Sequence, residues 1–335
     1  MKSVSIIGGG IIGTTLAASL ARAGADVTVF DAGDVKVSDG SLAWLNASST
    51  LTPHYAGLRA ASMRLWHDLA QEQGCPVRFN GALMWGLDVK AEFASVEVMA
   101  GVGWNTKLIN DKDMGAIAPE LNAPQTALWS PDEGFADPLL ITKWMRARAE
   151  TLGAKFQNRR VDDVDQVDGD HVVVCAGNGS TDLLPGLPLR RSPGIVMRTN
   201  PVPPVVPCVM ASPKLDFWQG SDGRIVMSSS LSKTPERADG LMAEDAVEEL
   251  KRLFPGLSAE VEDVVRRDRP IPKDGFPLLG HWQDRTWVAA MHSGMTLAPI
   301  VAAALTAELL DLPRRHDISR YRPDREMADH ERSAV

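Results

Sequence analysis

Residues 4–31 read VSIIGGGIIGTTLAASLARAGADVTVFD, and the order of residue types in that stretch decides the fold. Val4 to Ile7 predict a short buried strand, after which Gly8, Gly10 and Gly13 fall in the G-x-G-x-x-G register and open a helix. Gly8 permits the tight turn, Gly10 lets the backbone approach a pyrophosphate, and Gly13 lets the helix pack close to the strand. Ile11 and Ile12 begin that helix, whose free N–H groups and partial positive charge suit phosphates. Leu16, Ala17, Leu20 and Ala21 continue it, and Gly24 stands past its end as a C′ residue. Asp26 to Phe30 predict a second strand, which ends at Asp31 and Ala32. A carboxylate there accepts hydrogen bonds from ribose hydroxyls and repels a 2′-phosphate. A glycine-rich turn without a ligand would leave the strand, the helix and the acidic residue in these places by coincidence. The pattern therefore predicts a dinucleotide site.

The 335 residues suffice for one large domain or two interleaved ones. A net charge of −8 disfavours nucleic acid as a partner. No apolar run reaches the ~20 residues of a membrane span, and the N-terminus enters the first strand at once, without the character of a signal peptide. Cys75, Cys175 and Cys208 form neither an even framework nor a metal-like spacing. They read as small buried hydrophobes in a reducing cytoplasm, and no metal site is expected.

Further along, Leu58 to Gln73 has helical spacing, and Val77 to Leu87 reads as strand with a turn or bulge at Gly81. Helices are expected over Glu92 to Gly101 and Asp111 to Ile117, with a short strand over Trp104 to Ile109. Asp137 caps a helix with Pro138 at its first position, running from Leu139 to Leu152 and ended by Gly153. Strands follow at Ala154 to Val161 and Val172 to Val174, the latter ending in the small pair Ala176 and Gly177, where an open α/β sheet places its ligand. Residues 185–269 change character: strand-like pieces at Gly194 to Thr199, Val205 to Ala211, Leu215 to Gln219 and Arg224 to Ser229 suggest an antiparallel sheet, with Asp222-Gly223 as a hairpin turn. Glu244 to Phe254 is an amphipathic helix. RPIPKDGFPLLG, Arg269 to Gly280, is an extended stretch fixed by prolines, then come a strand at Thr286 to Ala290, the segment MHSGMTLAP, a helix from Ile300 to Leu310 and a charged, frayed tail after Tyr321.

Taken together, GGGIIG with Asp31, the strand VVVCAG, the RPIPKDGFPLLG stretch and the MHSGMTLAP segment occur in an order that resembles the FAD-dependent D-amino-acid oxidase superfamily, which includes glycine and sarcosine oxidases. The resemblance implies an α/β fold: a discontinuous Rossmann-like FAD-binding domain over 1–76, 134–184 and 266–335, and an antiparallel-sheet α+β substrate domain over 77–133 and 185–265. It places Ser41, Ala43 and Asn46 along the flavin, Val161 against adenine, Ala176 and Gly177 near the pyrophosphate and ribose, and Gly294, Met295 and Thr296 beside the pyrimidine edge. It implies an oxidoreductase acting on an amine or amino acid, with electrons passing to oxygen or another acceptor. A second nucleotide fingerprint is missing, so electrons are expected directly from an organic substrate.

The chain also departs from the family. MHSGMT lacks the arginine that glycine oxidase carries after the histidine equivalent to His292, no cysteine lies in Arg266 to Asp274, and no clear match appears for the lysine that helps sarcosine oxidase reduce oxygen. Non-covalent FAD is therefore expected, and oxidase and dehydrogenase both stay open. A flavin-binding subunit of a larger dehydrogenase complex is the alternative, and the oligomeric state is open.

For catalysis, Arg269 either binds a substrate carboxylate or pins the sheet to the FAD domain by an ion pair. His292 either hydrogen-bonds the flavin or amine, or is a structural histidine. Trp44, Tyr55 and Trp218 are candidates for an aromatic wall at the substrate, against core packing for each.

Overall fold

The computed structural model describes residues 1–34, 36–122, 124–229 and 239–327. Among them, six strands form the first sheet in the order Leu278–Gln283, Thr286–Ala290, His171–Val174, Ser3–Ile7, Asp26–Asp31 and Lys155–Asn158. All neighbours are parallel except Leu278–Gln283 with Thr286–Ala290. Ser3–Ile7 and His171–Val174 are buried along most of their length, as expected of parallel strands covered on both faces. The helices Ile11–Arg22 and Gly294–Leu309 pack together in one apolar core with Val4, Ile6, Val27, Val29 and Val173 of this sheet.

The second sheet is roughly the antiparallel layer expected. Its order is Val261–Pro272, Leu189–Thr199, Ile225–Ser229, Leu215–Gln219, Val209–Ala211, Ala82–Met84, Thr126–Ser130 and Lys107–Asn110, with one parallel pair, Val209–Ala211 beside Ala82–Met84. The helix Asp239–Leu253 covers it through Met242, Ala246 and Leu250. A third, small sheet joins Trp44–Leu45, Gly134–Ala136 and Val77–Phe79.

Three differences from the sequence expectations have physical causes. The strand-like run from Val77 splits at Gly81, at φ +86°, into Val77–Phe79 and Ala82–Met84, which serve different sheets. The extended, proline-fixed stretch from Arg269 is the end of the long strand Val261–Pro272, whose prolines 270 and 272 lie on the outermost strand. The antiparallel sheet therefore runs to Pro272, past the return to the FAD-binding domain expected at residue 266. The last helix begins at Gly294, six residues before Ile300, and carries Pro299 inside it. Pro299 lacks the N–H that would reach Met295 O. Trp66 Nε1 donates to that carbonyl at 3.0 Å, and Ser62 Oγ donates to Thr296 O at 2.7 Å. Helix Pro53–Ala70 thus repairs the break.

The tail is anchored rather than frayed as far as it is described. Arg322 pairs with Glu308, and Arg325 grips Asp274 with two 2.8 Å bonds. Residues 328–335 lie outside the described residues.

Candidate active site

At the carboxyl ends of Ser3–Ile7, Asp26–Asp31 and His171–Val174 lies a cavity of about 620 Å³, within the usual range for ligand pockets. Gly8, Gly10, Asp31, Ala32, Val161, Ala176 and Gly177 line it. Gly8 has φ +116°, and a Cβ there would stand 2.5 Å from Cys175 O. A Cβ on Gly13 would collide with Gly8 O, so the helix can lie this close to the strand only with glycine there. Ile11 is buried and Ile12 half-buried, with the amide of Ile11 3.3 Å from Ser38 Oγ. Asp31 holds Lys36 at 3.0 Å and accepts from Gly33 N–H. Asn178 Oδ1 and Arg267 Nε, on two lining residues, are buried and have no partner. Glycines that a Cβ would close, a terminal carboxylate, a helix N-terminus and orphaned polar atoms fit the phosphates and ribose of FAD.

The second half of the site centres on Ala43 to Ser48 and the start of the last helix. Ala43, at φ +54°, is held by a bond from its N–H to Ser41 Oγ at 3.0 Å. Thr296 Oγ1 donates to Trp44 O at 3.3 Å and lies 3.5 Å from Asn46 N, tying the segment to the helix. Gly294 lies against Ile11 and Ile12: a Cβ on it would be 3.6 Å from Ile12. The N-termini of helices Ile11–Arg22 and Gly294–Leu309 therefore meet, as required if one elongated cofactor touches both.

Two charged residues that sequence reasoning missed organise this half. Arg59 is 4% exposed on helix Pro53–Ala70. It donates to Asn46 Oδ1 and, at 2.9 Å, to Ser293 Oγ, and its guanidinium lies 5.4 Å from the Tyr55 ring centroid. Glu133 is fully buried and accepts from Ala47 N–H and Ser48 N–H, each at 2.8 Å, and from Trp44 Nε1 at 3.2 Å. Its burial raises its pKa, against the lowering effect of these N–H donors and of the Arg59 charge. A signal for Arg59 existed: Tyr55, Arg59, Ser62 and Trp66 share one face of a helix, and an arginine on a buried face needs a reason. Glu133 offered none, because it sits in a turn whose partners are remote in sequence.

Above this segment lies the ladder of Leu189–Thr199 with Val261–Pro272. Arg269, half-buried, donates to Pro193 O at 2.9 Å, and its Nη1 is 3.5 Å from His292 Nε2. Among the described residues it has no ion-pair partner, so the proposed pinning ion pair is not formed. His292 presents surface to open space yet is enclosed deep between the layers. Loss of solvation first, then the charges of Arg269, Arg59 and Arg190, push its pKa down to about 3. It is neutral near pH 7. Because Arg269 only donates, Nε2 faces it as acceptor and the ring proton sits on Nδ1, 3.4 Å from Ser293 Oγ.

The aromatic candidates separate. Trp218 is 3% exposed, stacks on Phe135 at 4.1 Å and donates to Leu42 O, and Trp44 packs against the same cluster. Tyr55 belongs to another group with His54, Phe276 and Tyr321. The three do not form one wall.

A fold of this kind with these two half-sites defines a flavin oxidoreductase. The family model described as FAD dependent oxidoreductase (DAO) matches residues 3–309, and the chain belongs to that family. It is similar to one of the subunits of opine oxidase from Agrobacterium tumefaciens (strain Ach5), 26% identical over 364 residues that cover 92% of this chain and 94% of that one. Among solved structures, it resembles L-proline dehydrogenase from P. horikoshii with TM-score 0.85 and 20% identity, covering 96% of each chain. It also resembles glycine oxidase from Geobacillus kaustophilus with TM-score 0.82 and 19% identity, covering 98% of this chain and 100% of that one. Among the described residues no helix is long and apolar enough to cross a membrane, and no group of His, Cys, Asp and Glu has the arrangement of a metal site.

Proposed function

We propose that this chain holds FAD non-covalently between its two layers and oxidises an amine or amino acid at the carbon–nitrogen bond. The reading rests most on the glycine-lined cavity joined, through the abutting helix starts at Ile11 and Gly294, to a neutral His292 among arginines. When bound, FAD supplies a two-electron acceptor: a hydride leaves the carbon next to nitrogen, and the resulting imine is hydrolysed by water to an oxo product and ammonia or a primary amine.

The protein's part is positioning and electrostatics. Gly8, Gly10, Ile11, Ile12 and Gly13 receive the pyrophosphate, while Asp31 and Ala32 meet the ribose. Val161, Ala176 and Gly177 complete the adenosine end. Ser41, Ala43 and Asn46 border the ring system on one side. Gly294, Met295 and Thr296 offer helix-terminal N–H groups to negative charge on it. Arg269 receives a substrate carboxylate through its guanidinium, whose Nε has no partner and whose Nη1 is only 3.5 Å from His292 Nε2. The surrounding guanidiniums disfavour the ammonium form of a bound amine, so the amine gives its proton to water as it binds and keeps its lone pair available. The three thiols favour non-covalent attachment: burial pushes Cys175 and Cys208 up to about 12 and Cys75 up to about 11, away from reactive thiolate.

A second reading makes the chain one subunit of a larger dehydrogenase, and the likeness to an opine oxidase subunit favours it. One experiment addresses both. FAD-loaded protein is mixed anaerobically with a panel of amino acids and N-methyl amines. Bleaching of the flavin absorbance supports an independent enzyme. A flavin that stays oxidised with every member overturns that reading, and bleaching restored only by co-purified partners supports the second. Denaturation should release all of the flavin, and colour left on the polypeptide would refute non-covalent binding.

A further inference from the structure

Charge in the dinucleotide cavity is unevenly matched, and the mismatch falls on the antiparallel layer. Of the charged residues that line the cavity, all but Asp31, Lys36 and Arg267 are exposed, where water and salt screen them. Asp31 and Lys36 are paired with each other. Arg267 is half-buried, and among the described residues no carboxylate lies within ion-pair reach of it. Its guanidinium is only partly used. Nη1 donates to Arg266 O at 2.6 Å, Nε is buried without a partner, and Nη2 is neither bonded nor buried among the described residues. A partly enclosed cation without an anion is costly.

The stem of this side chain lies over the FAD-binding layer. The ladder sets Arg267 opposite Gly194, so no side chain of the adjacent strand stands directly beside it. On the other layer, a Cβ on Gly40 would meet Arg267 Cγ at 2.5 Å and Val265 Cγ1 at 3.1 Å. Gly40 is therefore a glycine for room. It ends the turn Val37–Gly40, and Ser38 of the same turn has its Oγ 3.3 Å from the Ile11 amide. One short turn thus links the helix N-terminus to the strand that carries Arg267, and Gly10, Ser38 and Arg267 line the same cavity.

The pyrophosphate of a dinucleotide carries two negative charges. A helix N-terminus offers it about half of one positive charge, and the glycine turn adds amides without charge. A guanidinium brings a full charge and paired donors that suit phosphate oxygens. We infer that Arg267 binds the cofactor's pyrophosphate from the antiparallel layer, so that the phosphates are held between the start of helix Ile11–Arg22 and strand Val261–Pro272. The cofactor then joins the two layers through its phosphates, independently of any contact its ring system makes. The inference rests on the FAD reading of the cavity and adds a ligand that the glycine fingerprint does not contain.

The test uses the full chain stripped of flavin, titrated calorimetrically with FAD, ADP and adenosine. Adenosine keeps the base and ribose and lacks the phosphates. Arg267→Gln should weaken FAD and ADP about 10- to 100-fold and leave adenosine unchanged. Arg267→Lys, a point charge without the planar fork, should keep part of the affinity. Gly40→Ala displaces the stem and keeps the charge, and it should weaken ADP in the same direction. Hydrogen exchange reads the joining of the layers. ADP should protect amides of Leu189–Thr199 and Val261–Pro272 as well as those at the start of Ile11–Arg22, and in R267Q only the latter. Equal losses for ADP and adenosine would make Arg267 a structural residue and overturn the inference. Ladder protection that survives R267Q overturns the joining of the layers through this side chain. If the wild type takes up neither FAD nor ADP, the FAD reading itself falls. If it takes up both and R267Q binds them as tightly, that reading stands and the role of Arg267 falls.

Discussion

The adenosine end of the site is built from backbone, and the flavin end from side chains. At the first, Gly8, Gly10 and Gly13 matter for the Cβ atoms they lack, and strand ends supply the walls. At the second, Arg59, Glu133, Arg269 and His292 come from a helix, a turn, an edge strand and a helix start, and they touch through Asn46, Ser293 and the amides of Ala47 and Ser48. The backbone end should tolerate almost any change of a lining side chain but no added Cβ. The side-chain end should fail when one buried charged group is removed.

Glu133→Ala gives the largest expected effect. It leaves Ala47 N–H, Ser48 N–H and Trp44 Nε1 without their acceptor, which costs about 3–5 kcal/mol of folding stability, measurable by denaturant unfolding. Glu133→Gln sharpens the point through pH. Burial raises the Glu133 pKa, so the folded chain holds this proton more tightly than the unfolded chain. Stability of the wild type relative to Glu133→Gln should therefore be greatest below the ordinary value of 4.5 and fall as pH rises through the raised value. A relative stability that rises with pH would mean the N–H donors outweigh burial.

Next comes Gly8→Ala. A side chain at φ +116° and 2.5 Å from Cys175 O costs about 3 kcal/mol of folding stability, read by denaturant unfolding, and the shift of the turn that relieves it should weaken FAD binding in equilibrium titration. Retained affinity would break the claim that this end is a backbone device. Arg59→Gln should keep FAD but slow flavin reduction by substrate about 10–100-fold, from loss of charged hydrogen bonds to Asn46 and Ser293. Stopped-flow reduction checks it, and an unchanged rate would assign Arg59 to packing alone. Lys36→Ala is the smallest: its partly exposed ion pair with Asp31 is worth less than about 1 kcal/mol, so FAD affinity should change by less than about fivefold.

Legibility followed the same division. The first βαβ unit, the cap at Asp137 and the hairpin at Asp222-Gly223 stand where local chemistry put them, because each is set by residues within a few positions. Gly13 left a mark since only glycine lets the helix pass Gly8 O. The helix start at Gly294 was hidden because a proline inside a helix is locally unfavourable. Trp66 and Ser62, more than 200 residues earlier, supply what Pro299 removes. Trp44, Tyr55 and Trp218 looked alike in the sequence, yet packing put two around Phe135 and the third beside Tyr321.

By itself the sequence determined the dinucleotide-binding unit, the change to an antiparallel layer and the family. These depend on short-range geometry: glycine where φ is positive or a backbone passes close, and alternation where a sheet has two faces. Only the tertiary structure decided which charges face one another. Arg59 met Asn46 and Ser293, Glu133 met the amides of Ala47 and Ser48, and Arg190 aligned with Arg269 across a ladder. Hydrogen bonds and Coulomb forces act over a few ångströms of space whatever the separation along the chain, so residue order carries no record of them.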